Sequence, residues 1–195
     1  MNHPLQCRCG TNKGHVAKAG AGRRAICYCK DCQAFARFLG QAETILDAAG
    51  GTRIVATSSD NVHFSQGLNA LACISLSNHG LLRWYAGCCN TPIGNTPRDF
   101  KVPYIGLIEN CLQSGVPSVE ESFGPTRIVL NVQSARIPVK PSRVSTTLAM
   151  VRVMAGVITA RLRGAYKCNA LFRQSTGAPL VAPRQLSKAE REAVT

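Results

Sequence analysis

Cysteine is the residue type in this sequence whose number and spacing best predict chemistry. Ten cysteines occur in 195 residues. Seven of them form short motifs: Cys7-Arg8-Cys9-Gly10, Cys27-Tyr28-Cys29-Lys30-Asp31-Cys32 and the pair Cys88-Cys89. Side chains at positions i and i+2 of an extended segment point to the same side, so Cys7 and Cys9 can reach one metal ion. The two-residue gap between Cys29 and Cys32 is typical of zinc knuckles, and the motifs therefore predict zinc binding.

The number of thiolates predicts two sites of different kinds. Two complete tetrahedral zinc sites need eight ligands, and the motifs supply seven. The distant pair Cys88 and Cys89 can close one of the sites. A zinc ion with three protein ligands leaves its fourth position to water or substrate, as catalytic zinc sites do. Nearby basic residues are expected to favour the thiolate form, namely Arg23, Arg24 and Lys30.

The alternative interpretation is that the cysteines are buried, inert thiols, because free cysteine is among the most buried residue types. We favour this interpretation for Cys73, Cys111 and Cys168, which stand alone in the sequence. For the clustered cysteines we favour metal binding, since zinc-type spacing rarely arises from packing alone.

The order of the motifs resembles the glutathione-dependent formaldehyde-activating enzyme and centromere protein V family. The resemblance covers residues 5 to about 108. The motifs are Cys-x-Cys-Gly, then Cys-x-Cys-x-x-Cys about twenty residues later, and then a cysteine knuckle that follows a hairpin. The knuckle in this sequence is Tyr85-Ala86-Gly87-Cys88-Cys89-Asn90-Thr91. It implies a β-tent fold and two zinc ions. By resemblance a structural zinc falls on Cys7, Cys9 and Cys89. A catalytic zinc falls on Cys27, Cys29 and Cys32, where the family binds glutathione adducts.

The knuckle departs from the family pattern at two positions. The fourth structural ligand falls on Ala86, which cannot bind metal. Cys88 is the candidate to replace it, although adjacent residues of a strand point to opposite faces. Asn90 stands where the family has glycine, and asparagine tolerates a positive φ angle. These departures place the chain in a divergent branch of the family.

Short β-type segments with turns between them are expected to position the cysteines. Such segments occur at 53–57, 70–76, 81–85, 104–108 and 127–132, and residues 77–80 give a hairpin signal between the second and the third. They predict a mainly β domain. Residues 1–35 are expected to be loop-like, and residues 35–49 have an irregular helical spacing that ends at Gly50.

A C-terminal amphipathic helix is predicted at 145–163. Its apolar residues follow a three-four spacing: Val144, Leu148, Val151, Ala155, Ile158 and Leu162. Arg152 lies in the middle of a short apolar stretch, so we expect a helix packed on the β domain rather than a membrane span. The expected organisation is a zinc-binding β domain at 1–143, with a helix and basic tail at 144–195 packed on it.

The composition predicts a globular protein of a reducing compartment. With 45% apolar and 17% charged residues, the chain is not expected to be disordered, collagen-like or a long coiled coil. Met1–Gly10 lacks the apolar run of a secretory signal. We therefore expect a cytoplasmic protein whose cysteines bind metal instead of forming disulfides, with no membrane partner.

Two functions remain open from the sequence. The first is a zinc-dependent carbon–sulfur lyase that acts on glutathione or other thiol adducts, with zinc as a Lewis acid or as the holder of a substrate thiolate. The second is a non-catalytic zinc-stabilised module for nucleic acid or another polyanion, which the net charge of +13 allows. The basic residues are scattered and few aromatic residues accompany them, which disfavours stacking on single strands. We expect the enzyme.

Overall fold

A computed structural model describes residues 1–112, 117–140 and 143–195. In these residues the chain is mainly β, with eleven strands in two sheets. The strands are β1 (His3–Gln6), β2 (Lys13–Val16), β3 (Arg23–Cys27), β4 (Thr52–Thr57), β5 (Val62–Gln66), β6 (Leu71–Ser75), β7 (Leu82–Ala86), β8 (Thr91–Thr96), β9 (Ile105–Ile108), β10 (Ile128–Leu130) and β11 (Arg184–Gln185). The small sheet has the order β1-β2-β5, and the large sheet has the order β10-β3-β4-β9-β8-β7-β6-β11.

The described residues also form five α-helices, and local capping sets where several of them begin. They are α1 (Lys30–Phe38), α2 (Ala42–Ile45), α3 (Val119–Phe123), α4 (Arg143–Leu162) and α5 (Lys188–Val194). The sulfur of Cys29 caps α1 by accepting a hydrogen bond from the backbone N–H of Cys32. Ser118 and Ser187 form capping boxes at α3 and α5, which satisfy free N–H groups at those helix starts.

The predicted β segments are confirmed as strands, and the predicted hairpin is the antiparallel pair β6–β7. The loop-like prediction for residues 1–35 is wrong, because β1, β2 and β3 lie there. The helix predicted at 35–49 is the end of α1 followed by the short α2, separated by Gly40 at a φ of 67°. Strands β5 and β8 were not predicted. β8 contains Pro92 and Gly94, which disfavour strands, and pairing with β7 and β9 holds it in the sheet.

The two faces of the large sheet have different surroundings. Val55, Trp84 and Leu107 belong to the main core, together with Leu5 and Val16 of the small sheet. On the other face, Ala25 of β3 and Ile128 of β10 pack against Ala149 of α4. Side chains alternate along a strand, so Cys27 lies on the α4 side of the sheet with Ala25.

Helix α4 is confirmed, but it packs on the domain through a different face from the apolar stripe. Ala149 and Ala160 of α4 are buried. The stripe residues Val144, Leu148, Val151, Ile158 and Leu162 are 51–83% exposed, so the expected packing is wrong for that face. Small side chains let a helix approach a sheet closely, which favours the alanine face. By length and composition, Val144–Leu162 is also apolar enough to cross a membrane, and 11% of this stretch is buried.

The residues after α4 return to the large sheet. Strand β11 pairs in parallel with β6. Helix α5 packs near α1, where Nη1 of Arg37 donates to the carbonyl oxygens of Val194 and Thr195, at 2.8 Å each. The C-terminal segment therefore contributes to the β domain instead of extending from it.

Candidate metal centres

Four cysteine sulfurs converge at one end of the small sheet. These are the sulfurs of Cys7, Cys9, Cys88 and Cys89, hereafter the four-cysteine cluster, and all lie within 4.8 Å of one another. The Cys9 sulfur is 3.5 Å from that of Cys7 and 3.2 Å from that of Cys88. In a tetrahedral site with Zn–S bonds of about 2.3 Å, sulfurs are about 3.8 Å apart. The cluster therefore fits one tetrahedral zinc ion in number and spacing of donors.

Two turns bring the four-cysteine cluster together. Cys7 and Cys9 lie between β1 and β2, and Cys88 and Cys89 lie between β7 and β8. Because Cys88 and Cys89 are in a turn and not in a strand, their sulfurs can lie on one side, 3.9 Å apart. Cys88 thus places a fourth sulfur in the group that could hold a metal ion. Asn90 follows at a φ of 56°, which confirms that asparagine adopts the positive angle there.

Hydrogen bonds hold the ligands of the four-cysteine cluster in place. The backbone N–H of Asn12 donates to the Cys7 sulfur at 3.2 Å. Hydrogen bonds with Thr11 lower the pKa of Cys9 to about 6. The backbone N–H of Arg8 donates to the Thr91 hydroxyl oxygen, which is 3.1 Å from the Cys89 sulfur. Such partners fix the orientation of ligands and stabilise their negative charge.

The sulfurs of Cys27, Cys29 and Cys32 form a second group, the three-cysteine cluster, within 4.8 Å of one another. Cys27 ends β3, and the other two lie at the start of α1, where the helix dipole favours negative charge. The Cys32 N–H donates to the Cys29 sulfur at 3.3 Å, and the Asn131 amide donates to the Cys27 sulfur at 3.2 Å. Among the described residues, no fourth cysteine, histidine or carboxylate completes this group.

Hydrogen bonds in and around the three-cysteine cluster favour the thiolate form of Cys27. Hydrogen bonds from the thiols of Cys29 and Cys32 lower the pKa of Cys27, and the Asn131 amide adds to this effect. The same contacts raise the pKa of Cys29 and of Cys32. Nη1 of Arg83 lies 3.9 Å from the Cys32 sulfur, and this arginine is only 3% exposed. A buried cation thus partly offsets the charge of the thiolates.

The cation at the three-cysteine cluster differs from the expected ones. Arg24 instead pairs with Glu109, with Nε and Oε1 2.7 Å apart and both side chains buried. No contact between Arg23 or Lys30 and these sulfurs is found in the described chain. Arg83 was missed by sequence reasoning, and its signal was a single charged residue inside the apolar strand β7. Asn131 carried no comparable signal.

The isolated cysteines behave in two ways. Cys73 and Cys111 are buried as expected, and burial raises the pKa of both thiols. Cys168 is exposed, so its interpretation as a buried thiol is wrong. Because Cys168 lies outside both clusters, it is a suitable control position for cysteine substitutions.

Comparison with known proteins identifies a family but not an activity. The model of DUF6151, a family of unknown function, matches residues 1–176. A search of the curated proteins finds no significant match. The crystal structure of a Rhodobacter sphaeroides protein matches with 16% identity over 67% of this chain and 100% of that chain. Its TM-score is 0.41, and a likeness this weak supports no argument about fold or function.

Proposed function

Because the chain belongs to the DUF6151 family, whose function is unknown, we propose its function from its own residues. We propose a zinc-dependent enzyme that cleaves or forms the carbon–sulfur bond in adducts of glutathione or another thiol. The contrast between the two clusters supports this: one group has four donors and the other has three in the described chain. A site with four protein ligands is closed and structural, whereas one with three keeps a position for substrate.

The proposed reaction is the reversible cleavage of a hemithioacetal. The bond between sulfur and the carbinol carbon breaks, its electron pair stays on sulfur, and the hydroxyl proton passes to sulfur. The products are a thiol and an aldehyde, and no oxidant or reductant is needed. Zinc, when bound, supplies a Lewis acid that stabilises the thiolate.

The residues around the three-cysteine cluster prepare it for this role. The Asn131 amide fixes Cys27, and Arg83 offsets negative charge beside Cys32. Tyr104 lies near the same group: burial raises its pKa to about 12, with smaller contributions from the charges of Cys27 and Cys32. Its hydroxyl therefore stays protonated at neutral pH and can donate a hydrogen bond to a substrate oxygen.

The remaining parts of the proposal concern the scaffold and its surroundings. We propose that the four-cysteine cluster binds a structural zinc and that the fold is a β-tent, in a divergent branch of the formaldehyde-activating family. All ten cysteines are free. Metal-binding thiols must stay reduced, so the proposed location is a reducing compartment such as the cytoplasm. The proposed partner is a small thiol such as glutathione.

Exchange spectroscopy of glutathione with formaldehyde tests the proposed activity. By NMR, the zinc-loaded protein should accelerate exchange between free glutathione and its hydroxymethyl adduct. Cys29→Ser should abolish the acceleration, while Cys168→Ser should retain it. If the wild type with a full zinc content gives no acceleration with glutathione or with a simple thiol such as 2-mercaptoethanol, the proposed activity is wrong.

A further inference from the structure

An apolar cavity lies between α4 and the large sheet, on the same sheet face as Cys27. Its volume is about 260 Å³, and Ala25, Ile128, Leu130, Met150 and Val153 are among its lining residues. A neighbouring cavity of about 270 Å³ shares Ala56, Tyr104, Val153 and Val157 with it. The two are therefore adjacent, and their summed volume lies within the range of small-molecule sites, roughly 300–1,000 Å³.

The cavity lined by Ala25 and Leu130, nearer to Cys27, is hereafter the inner cavity, and the neighbouring one is the outer cavity. The two differ in charge. Arg23, Arg152 and Arg163 line the outer cavity. The Arg23 guanidinium is held by the carbonyl oxygens of Gly20 and Gly22, and Arg163 lies 3.4 Å from Asp60. No acidic partner of Arg152 is found in the described chain. Arg152 therefore has a positive charge that is free to meet an anion at the mouth.

Three residues of strand β3 show how the two cavities and the three-cysteine cluster are arranged. Arg23 lines the outer cavity, Ala25 lines the inner one, and Cys27 belongs to the three-cysteine cluster. These residues alternate onto one face and span about 13 Å at a rise of about 3.3 Å per residue. Leu130, opposite Cys27 in the sheet, lines the inner cavity and packs against the cluster. The basic cavity, the apolar cavity and the three-cysteine cluster therefore follow one another along β3, and together the two cavities are called the groove.

We propose that this groove binds a small amphipathic anion, with its apolar chain in the inner cavity and its carboxylate or phosphate at Arg152. Charge complementarity at the mouth and the apolar chamber behind it both favour this class of ligand. The inner cavity adjoins the three-cysteine cluster through Leu130, so the inference also names a substrate class: a thiol adduct with an apolar chain that ends in an anion. Only this second part rests on the proposed function.

Binding of decanoate to the full-length protein, measured by calorimetry, tests the groove. An ideal Cβ at Gly156 meets no atom within 4 Å, and Gly156 lines the outer cavity. Gly156→Leu should therefore fill the groove without harming the fold, since leucine favours helices more than glycine does. We expect it to weaken binding at least about tenfold, as overfilling a site does. The matched control is Thr147→Leu, at an exposed position of the same helix outside both cavities, and it should bind normally.

A variant of Arg152 distinguishes the binding of the ligand's anionic group from the binding of its apolar chain. Arg152→Gln should weaken decanoate about tenfold, the value of one charged hydrogen bond, and should leave 1-decanol unchanged; Arg161→Gln is its control. Decyl phosphate in place of decanoate distinguishes the two anions. Saturable binding that persists in Cys29→Ser but without activity supports the groove and separates it from the chemistry. The absence of saturable binding, or equal binding by Gly156→Leu and wild type, overturns the proposal.

The exposed stripe of α4 carries a second, independent inference. Val144, Leu148, Val151, Ala155, Ile158 and Leu162 are separated alternately by four and three residues, and all are exposed. A mean spacing of 3.5 residues is the pattern by which one helix packs along another in a coiled coil.

We propose that the stripe pairs with the same stripe of a second copy of this chain. Six side chains that each expose on the order of 100 Å² would bury on the order of 1,200 Å² between two copies, within the range of stable interfaces. Helix α4 has no acidic residue, and Arg152 and Arg161 are on it. The like charges of two copies repel, so added salt should strengthen the dimer.

Analytical ultracentrifugation of the full chain tests the dimer. The wild type should be dimeric at micromolar concentration, and Leu148→Glu with Ile158→Glu should be monomeric with an unchanged circular dichroism spectrum. Leu81→Glu is the matched control, because Leu81 is an exposed apolar residue elsewhere, at 42%. A monomeric wild type overturns the inference. So does binding to vesicles of phosphatidylglycerol that weakens with salt and is lost in the double variant.

Discussion

Replacing Cys88 with alanine removes one of the four sulfurs of the four-cysteine cluster while leaving the core intact. The Cys88 side chain is exposed and lies in a turn, so its loss creates no cavity. Its sulfur is 3.2 Å from that of Cys9, and the two residues are 79 positions apart. A zinc ion held there closes a loop of this length. Cys89 lies in the same turn, so the variant loses the closure to the extent that it loses its zinc.

The size of the effect follows from the loop. Cross-linking a chain across about 80 residues removes roughly 4.5 kcal/mol of unfolded-state entropy at 25 °C, in the loop-closure model. In a chain of this length, each kcal/mol corresponds to about 2–4 °C in melting temperature. Cys88→Ala should therefore melt below the wild type, by up to about 10–15 °C where its zinc is lost completely, and Cys168→Ala should melt like the wild type.

Thermal unfolding by circular dichroism, with zinc measured on the same samples, provides the assay. A chelator should lower the melting temperature of the wild type, and it should lower that of Cys88→Ala much less. An unchanged melting temperature for Cys88→Ala, at an unchanged zinc content, would refute the assignment of Cys88 as a ligand.

Three further predictions concern other parts of the molecule. Asn131→Gly removes the amide that donates to the Cys27 sulfur, and glycine accepts the φ of 56° at this position. The zinc affinity of the three-cysteine cluster, measured by competition with a chelator, should fall about 10–100-fold. The control Asn90→Gly should leave that affinity unchanged. Arg24→Met breaks a buried ion pair with Glu109 and should lower the free energy of unfolding in urea by about 3–5 kcal/mol. The double variant Arg24→Met/Glu109→Leu should regain much of that stability, because no unpaired charge stays buried. Equal losses of stability in the single and the double variant would contradict this prediction. Finally, an oligonucleotide should bind weakly and lose affinity steeply with salt; binding that survives physiological salt, with no effect of glutathione, would favour the polyanion-binding function.

The sequence predicted the sulfur clusters better than their surroundings. Spacing alone indicated Cys27, Cys29 and Cys32 because a strand end followed by a helix start places them together. It left Cys88 uncertain, since the expected strand geometry turns adjacent side chains apart, and only the turn between β7 and β8 resolves this. Asn131 follows β10, which pairs with β3, and Arg83 of β7 contacts Cys32 at the start of α1; both residues are far from the cluster in the chain, so no local pattern indicates them.

The secondary structure was also predicted where local sequence determines it and missed where contacts between distant residues do. Segments with β-branched and apolar runs were predicted, whereas β8 was missed because its strand conformation comes from pairing on both sides. Helix α4 was predicted from its apolar periodicity, but periodicity identifies a stripe and not its neighbour. The small side chains of Ala149 and Ala160 pack on the domain, and the larger stripe faces outward.

The zinc content of the purified full-length chain tests the central claim most directly, since both the structural and the enzymatic roles require metal at the two clusters. Elemental analysis should give two zinc ions per chain for the wild type and for Cys168→Ser, and one for Cys29→Ser. X-ray absorption of Cys29→Ser should then show four sulfur ligands at the remaining zinc. A wild type without zinc, or a Cys29→Ser variant that retains two zinc ions per chain, would contradict the account.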